Sequence, residues 1–197
     1  GHSPILGWVR DGYPVYGPYG YSDALDADSA VTRMRSGYQK RNISVRQTLP
    51  AYAARDQGYI AVGSTAEYDL PANRYGPTVT AGAGSQYELG HYLEDYDYLG
   101  DLGQTQCTEF DLDKYNGRFS VTPEFPHGTY AYFLSIEPDG TPQFPYTMGR
   151  WYYGNPTGDS VTNSTETVTQ QVQGAPAADL VVSSSAHGSE VNVAWNS

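Results

Sequence analysis

Apolar and polar positions along this chain alternate in short bursts that turn-forming residues interrupt. Ile5-Leu6 and Trp8-Val9 predict a short first strand, Asp11-Gly12 a turn, and residues 13–16 a second strand, before Gly17-Pro18 and Gly20 break regular structure. Residues 22–36, SDALDADSAVTRMRS, predict a helix. Ser22 or Asp23 would cap it, acids come early, Arg33 and Arg35 come late as the macrodipole favours, and Gly37 would stop it. Residues 37–87 are broken by Pro50, Gly58, Gly63, Pro71, Gly76, Pro77, Gly82 and Gly84, which predicts a long excursion with short strands near 59–62 and 78–80. Residues 91–98, HYLEDYDY, alternate in part; as a strand they would set Tyr92, Glu94, Tyr96 and Tyr98 on one face.

The C-terminal half is more regular. Asn116-Gly117 is a strong turn pair. Residues 129–136, TYAYFLSI, are the clearest strand, with Tyr130 and Tyr132 on one face and Ala131 and Phe133 on the other. One face would pack the core and the other would meet a polar groove near Asp11 and Tyr16. Pro138-Asp139-Gly140 predicts a turn, and residues 143–146 the start of a returning strand. Residues 155–177 are polar, without Lys or Arg, and read as a linker or an edge strand. Residues 179–183 and 191–196 alternate as two strands. They suit either the start of an immunoglobulin- or fibronectin-like module with Trp195 in its core, or additions to the main sheet. The fold class that follows is mainly β: an antiparallel sheet or sandwich with long irregular loops and one short helix near 22–36. The domains would be residues 1–154, 155–177 and 178–197. The opening, GHSPILGW, has no lead-in and reads as an internal boundary.

Composition sharpens this picture. There are 19 Tyr against 5 Phe and 3 Trp, with 22 Gly and 13 Pro spread along 197 residues, which favours short strands joined by irregular connections. The net charge of −11 argues against the cationic field that a nucleic-acid surface needs, so no nucleic-acid partner is expected. No apolar run is long enough for a membrane span. The lone Cys107 excludes an internal disulfide and a multi-cysteine zinc site, and reads as a buried structural thiol. Few lysines with abundant Asp, Tyr, Ser and Thr match exported bacterial proteins. A folded domain without disulfides fits either side of a membrane.

Candidate chemistry lies in the acids. Residues 88–113 hold eight (Glu88, Glu94, Asp95, Asp97, Asp101, Glu109, Asp111 and Asp113) and no Lys or Arg. This is either a site for Ca²⁺ or another divalent metal or a solvated acidic face, and no D-x-[DN]-x-[DN]-G loop decides between them. His2, His91, His127 and His187 form no H-x-H or H-x-x-x-H pair. His2, Glu94, Asp95 and Asp113 are the candidate metal ligands. G-x-S-x-G is absent. The tyrosines either line a sugar-binding groove or fill a polar-edged β core.

Three blocks carry a resemblance. They are HSPILGW running on to DGYPVYGPYGY (2–8 and 11–21), DLDKYNGR (111–118), and TPEFPHGTYAYF (122–133) followed by Phe144-Pro145-Tyr146 and Tyr152-Tyr153-Gly154. In this order they resemble the YHYH domain family of bacterial exported proteins, over about residues 1–154. The resemblance implies an extracellular or periplasmic, often multi-modular protein and brings no established activity. The Tyr-His-Tyr-His motif is replaced by Tyr130-Ala131-Tyr132-Phe133, and Tyr115 and Ser120 stand where family cysteines are common. Of any histidine-based metal site, His2 and the carboxylates remain. Within the blocks, Asp113 and Asn116 flank the Asn-Gly turn, and Arg118 is placed to clamp Asp113 or Glu124. The binding set is then Asp11, Tyr16, Asp113, Asn116, Arg118, Glu124, Tyr130 and Tyr132. The expected function is a secreted or cell-surface β module for ligand binding, adhesion or surface assembly, steadied by a cation. The alternative is a secreted hydrolase or metal-dependent redox enzyme using Asp11, His2, Asp113 and Glu124 in a Tyr-lined cleft. Expected partners are an extracellular ligand or a neighbouring subunit or module that adds a strand to an open sheet edge.

Overall fold

A computed structural model describes residues 1–82 and 84–156, together with two short strands further on. The chain divides into two units, Gly1–Thr157 and Gly158–Ser197. In the first, Gly12 at φ 88° lets the chain reverse tightly, so β1 (Ile5–Trp8) and β2 (Pro14–Tyr16) pair antiparallel. Asp113 organises the second reversal. Its Oδ1 accepts the N–H groups of Tyr115 at 2.8 Å and Gly117 at 3.2 Å, and Asn116 takes the left-handed conformation at φ 66°. The chain leaves this turn as β9 (Gly117–Ser120), antiparallel to β10 (Thr129–Phe133). β10 also pairs with β2, but parallel, which closes a four-stranded sheet of order β1-β2-β10-β9.

Both faces of this sheet are buried. Tyr130 and Tyr132 pack with Val15 on one side, whereas Ala131 and Phe133 pack with Tyr16, Met34 and Leu112 on the other. The alternation along β10 is as the sequence reads, but neither face is left to an open groove. Three two-stranded ladders surround the sheet: β3 (Tyr19–Tyr21) with β4 (Val31–Arg33), β5 (Tyr38–Lys40) with β8 (Tyr96–Tyr98), and β6 (Thr48–Leu49) with β7 (Tyr68–Asp69). The molecule is therefore mainly strands with one short helix. Its sheets are this four-stranded one and small ladders, and its central pairing is parallel.

The helix is not at 22–36. Asp23 Oδ1 accepts Leu25 N–H and Asp26 Oδ1 accepts Asp28 N–H, each at 2.9 Å, and Ser29 Oγ donates to the Asp26 carbonyl at 2.7 Å. Such local side-chain bonds compete with helical ones, and the segment ends in β4. The helix, α1 (Ala51–Asp56), lies in the 37–87 excursion, where the sequence suggests short strands. It starts after Pro50, buries Ala51 to Ala54, and is followed by Gly58 at φ 73°. Residues 59–62 and 78–80 are not strands. Only Tyr96–Tyr98 of 91–98 is extended; Leu93–Asp95 is a 3₁₀ turn, because Asp95 Oδ2 accepts the N–H groups of Gly90 and Tyr92. The chain does return antiparallel after the 138–140 turn, with Pro142 bridged to Ile136 and Gln143 N–H donating to the Ser135 carbonyl at 2.9 Å, but it then turns rather than continuing as a strand: Tyr146 N–H donates to the Gln143 carbonyl at 2.7 Å, and Tyr146 stands at φ 69°. Cys107 is exposed, not buried.

In the second unit, β11 (Leu180–Val181) pairs antiparallel with β12 (Ala194–Trp195). The expected linker at 155–177 and the remainder of the expected module at 178–197 lie outside the described residues.

Candidate functional site

The sheet separates the expected binding residues into two groups. On the Tyr130 face, Tyr132 OH donates to Asp11 Oδ2 at 2.5 Å, and Tyr130 OH donates to Asp113 at 2.9 Å. Asp11 Oδ2 also accepts Gly154 N–H, and the Tyr153 ring stacks on Tyr130 with centroids 3.6 Å apart and planes 3° from parallel. Burial pushes the Asp113 carboxyl above the usual range, against the hydrogen bonds that pull it down. Burial likewise raises both phenols, so they remain donors. Tyr153 and Gly154 cover this pair of Tyr–Asp contacts, which tie the sheet to its flanking loops.

The opposite face gathers His2, Tyr16, Glu124 and Arg118. Tyr16 OH lies 2.8 Å from Thr122 Oγ1 and 2.9 Å from the exposed Glu124 carboxylate, and burial pushes Tyr16 up to about 12. His2 stands edge-on to Tyr16 at 5.0 Å and donates from Nδ1 to the Ser3 carbonyl at 2.7 Å, which leaves its buried Nε2 without a partner. Burial lowers the His2 pKa. Arg118 forms no clamp with Asp113 or Glu124. Its register opposite Ala131 turns it to the Phe133 face, where it donates to the Tyr21 carbonyl and lies over the Phe133 ring. Burial pushes its guanidinium down. Asn116 is fully buried and structural: Nδ2 donates to the Phe133 carbonyl at 2.7 Å and Oδ1 accepts Ser135 Oγ at 2.8 Å. Asp11 and Asp113 are thus on one face and His2 and Glu124 on the other, and the four do not share a cleft.

Nor do the expected metal ligands meet. Asp95 is held by Arg46 at 2.6 Å, Glu94 by Arg150 at 3.1 Å, and Asp113 by Tyr130. Among the described residues, no group of three or more His, Cys, Asp or Glu side chains is arranged to hold a metal ion. The cations that answer the acidic tract are the chain's own. Arg35 pairs with Asp111, Arg41 with Asp97, Arg46 with Asp95, Arg55 with Asp101 and Arg150 with Glu94. No spacing rule exposes these pairs, because each arginine except Arg150 comes from the region 35–55, far from its partner in sequence.

An open site lies elsewhere, around Phe144. Its ring stacks on Tyr96 at 3.9 Å and 9°, and meets Tyr38 edge-on at 5.1 Å. On one side is an apolar hollow of about 320 Å³, lined by Tyr52, Leu93, Pro145 and Met148 with Arg150. On the other is a polar hollow of about 350 Å³, where Tyr96 is joined by Gln39, Lys40, Glu137 and Gln143. Tyr38, Phe144 and Tyr146 line both. Three tyrosine hydroxyls here donate to backbone carbonyls: Tyr38 to Lys114, Tyr52 to Leu93 and Tyr96 to Gly90. These three tyrosines are themselves a buried core cluster against which Phe144 packs, so the accessible ring surface of the cleft comes from Phe144 and the exposed Tyr146. Gln143 Oε1 is buried without a partner. None of these residues belongs to the expected binding set. The sequence marked Phe144-Pro145-Tyr146 as part of the family blocks and Tyr96 as a strand residue, but nothing in it brings these segments to Tyr38 and Tyr52.

A family model described as YHYH protein matches residues 1–148. The chain belongs to this family. Comparisons with curated proteins and with solved structures gave no match. In this YHYH-family chain, Ala131 and Phe133 of β10 point into the apolar cluster beside His2, whose ring lies 6.0 Å from Phe133. The aromatic cleft falls largely within the matched segment, whereas Tyr153 and Gly154, which cover Tyr130 and Asp11, lie beyond it. Among the described residues no helix is long and apolar enough to cross a membrane.

Proposed function

We propose that this chain is an exported bacterial, sheet-built module that binds an extracellular ligand in the aromatic cleft around Phe144. Membership of the YHYH family supports export, through the resemblance drawn from the sequence blocks. The observation that carries the binding role is the pair of hollows sharing Tyr38, Phe144 and Tyr146. Each has the volume of a small-ligand site, and aromatic walls with a few polar groups are what such sites use. Adhesion or surface assembly would follow if the ligand is part of a cell envelope or matrix.

The test is a titration of the full chain with a panel of soluble oligosaccharides and short peptides, read by ¹H–¹⁵N NMR. The expected result is a ligand whose shifts centre on Tyr38, Phe144 and Tyr146 and are lost in Tyr146→Ala. Tyr146 is 48% exposed, so this change leaves the fold intact. Shifts confined to other surfaces, unaltered by that substitution, would overturn the reading.

A further inference from the structure

On the Tyr130 face of the sheet, the chain covers a pocket with its own surface. We infer that Tyr153 and Gly154 form a strap over a pocket for the guanidinium of an arginine-bearing peptide, which displaces them. This pocket is separate from the cleft around Phe144 and does not depend on the role proposed there.

The strap is seated by a ring and two donors. The Tyr153 ring lies flat on Tyr130, with centroids 3.6 Å apart and planes 3° from parallel. Tyr153 N–H donates to Tyr132 OH at 2.7 Å, and Gly154 N–H donates to Asp11 Oδ2 at 3.0 Å. Tyr13 and Tyr115 stand edge-on to the Tyr153 ring at 5.4 Å and 5.8 Å, so the ring sits in a cup with Tyr130 as its floor. Tyr130 and Tyr132 are buried, but this face of Tyr130 is covered by Tyr153, which is itself 46% exposed. Departure of the strap bares a phenol face beside two freed acceptors, Tyr132 OH and Asp11 Oδ2. A guanidinium matches that set: it is planar, stacks on aromatic faces and carries several N–H donors.

The strap is the weaker occupant for two reasons. Two electron-rich phenols lie nearly face to face, which aromatic quadrupoles disfavour against offset or edge-on contact, whereas a cation gains from the same ring face. The strap also brings no charge to Asp11, which forms no salt bridge among the described residues. One wall already attracts a cation, because Lys114 Nζ lies over the Tyr115 ring at 5.0 Å. The seat is sensitive to a single methyl group: a Cβ on Gly154 would stand 2.8 Å from Tyr13 Cε2 and 3.3 Å from Asp11 Cβ. The pocket residues fall within the matched residues 1–148, and the strap lies beyond them.

The peptide Ac-Gly-Arg-Gly-NH₂ and its citrulline counterpart, a neutral urea of the same shape, separate charge from shape. The full chain would be titrated with each and followed by ¹H–¹⁵N NMR. The arginine peptide should shift the amides of Asp11, Tyr132 and Gly154. It should bind about tenfold more tightly than the citrulline peptide, as a charge-assisted hydrogen bond does against a neutral one, and more weakly at higher salt. Tyr153→Ala should tighten the arginine peptide about tenfold, because the strap no longer competes for the floor. Gly154→Ala keeps the Tyr153 ring in the chain but unseats it through the added Cβ, so it should act in the same direction even where Tyr153→Ala impairs folding. Asp11→Asn should remove the preference for arginine over citrulline. Equal affinities for the two peptides would overturn the inference, and so would an arginine affinity unchanged in both strap variants. Shifts confined to other surfaces, the Phe144 cleft included, would overturn it as well, as would failure of the arginine peptide to bind any of these proteins.

Discussion

Asp113 shows how a residue's meaning depends on what surrounds it. In sequence it is the last of eight acids and a candidate metal ligand or catalytic group. In the fold it is a half-buried carboxylate fixed by Tyr130 and by the N–H groups of Tyr115 and Gly117. Burial raises its pKa above the unfolded value, so its favourable contribution is complete below about pH 3.9 and is lost as pH rises through the folded pKa. Asp113→Asn keeps an Oδ1 acceptor for the two N–H groups and removes the charge. Relative to the parent, this variant should gain stability between pH 3.5 and pH 7, measured as the difference in urea midpoints at the two pH values. A difference that does not change with pH would show that the charge is fully compensated. Asp95 behaves oppositely: burial would raise it, but Arg46 and the N–H groups of Gly90 and Tyr92 outweigh burial and hold it low.

At the level of elements, the legible parts were those whose conformation is set within a few residues. The Asp11-Gly12 and Asn116-Gly117 reversals and the alternation of β10 belong here, whereas β9 and its register against β10 do not. The helix was misplaced for an equally local reason. The Asp and Ser side chains of 22–30 resemble caps and early-turn acids, yet they bond their own backbone in successive turns. The alanines of α1 were the missed signal, obscured by surrounding Gly and Pro. Asn116 tests the turn. Asn116→Gly should keep the left-handed conformation while losing the bonds to Phe133 and Ser135, costing about 1–3 kcal/mol. Asn116→Ala adds the left-handed penalty of roughly 1–2 kcal/mol. Chemical denaturation of both should therefore rank Ala below Gly; the reverse order would mean that backbone conformation is not the second term.

Across the whole molecule, contacts distant in sequence decide what is site and what is scaffold. Arg46 joins three separate segments: it holds Asp95 at 2.6 Å and 2.8 Å and donates to the carbonyls of Pro77, Tyr87 and Glu88. Arg46→Met would leave Asp95, which is fully buried, without its cation, at a cost of about 3–5 kcal/mol. Hydrogen exchange should show protection lost over 77–95 before it is lost in β9 and β10. Uniform loss across both regions would mean that this ion pair supports the sheet as much as the loop.

The sequence by itself settled the class of fold, the family and the turns, because strand alternation and left-handed Asn or Gly are properties of neighbouring residues. Recognition rests on the blocks at 2–21, 111–118 and 122–133, which fall within the matched residues 1–148. Only the tertiary structure decided that five of the eight acids in the tract are paired with arginines, that the expected binding residues lie on opposite faces of one sheet, and that the open cleft is built around Phe144. The reason is physical. Burial and pairing depend on which segments meet in space, and an ion pair between Arg46 and Asp95 or a stack between Tyr96 and Phe144 has no local pattern to announce it.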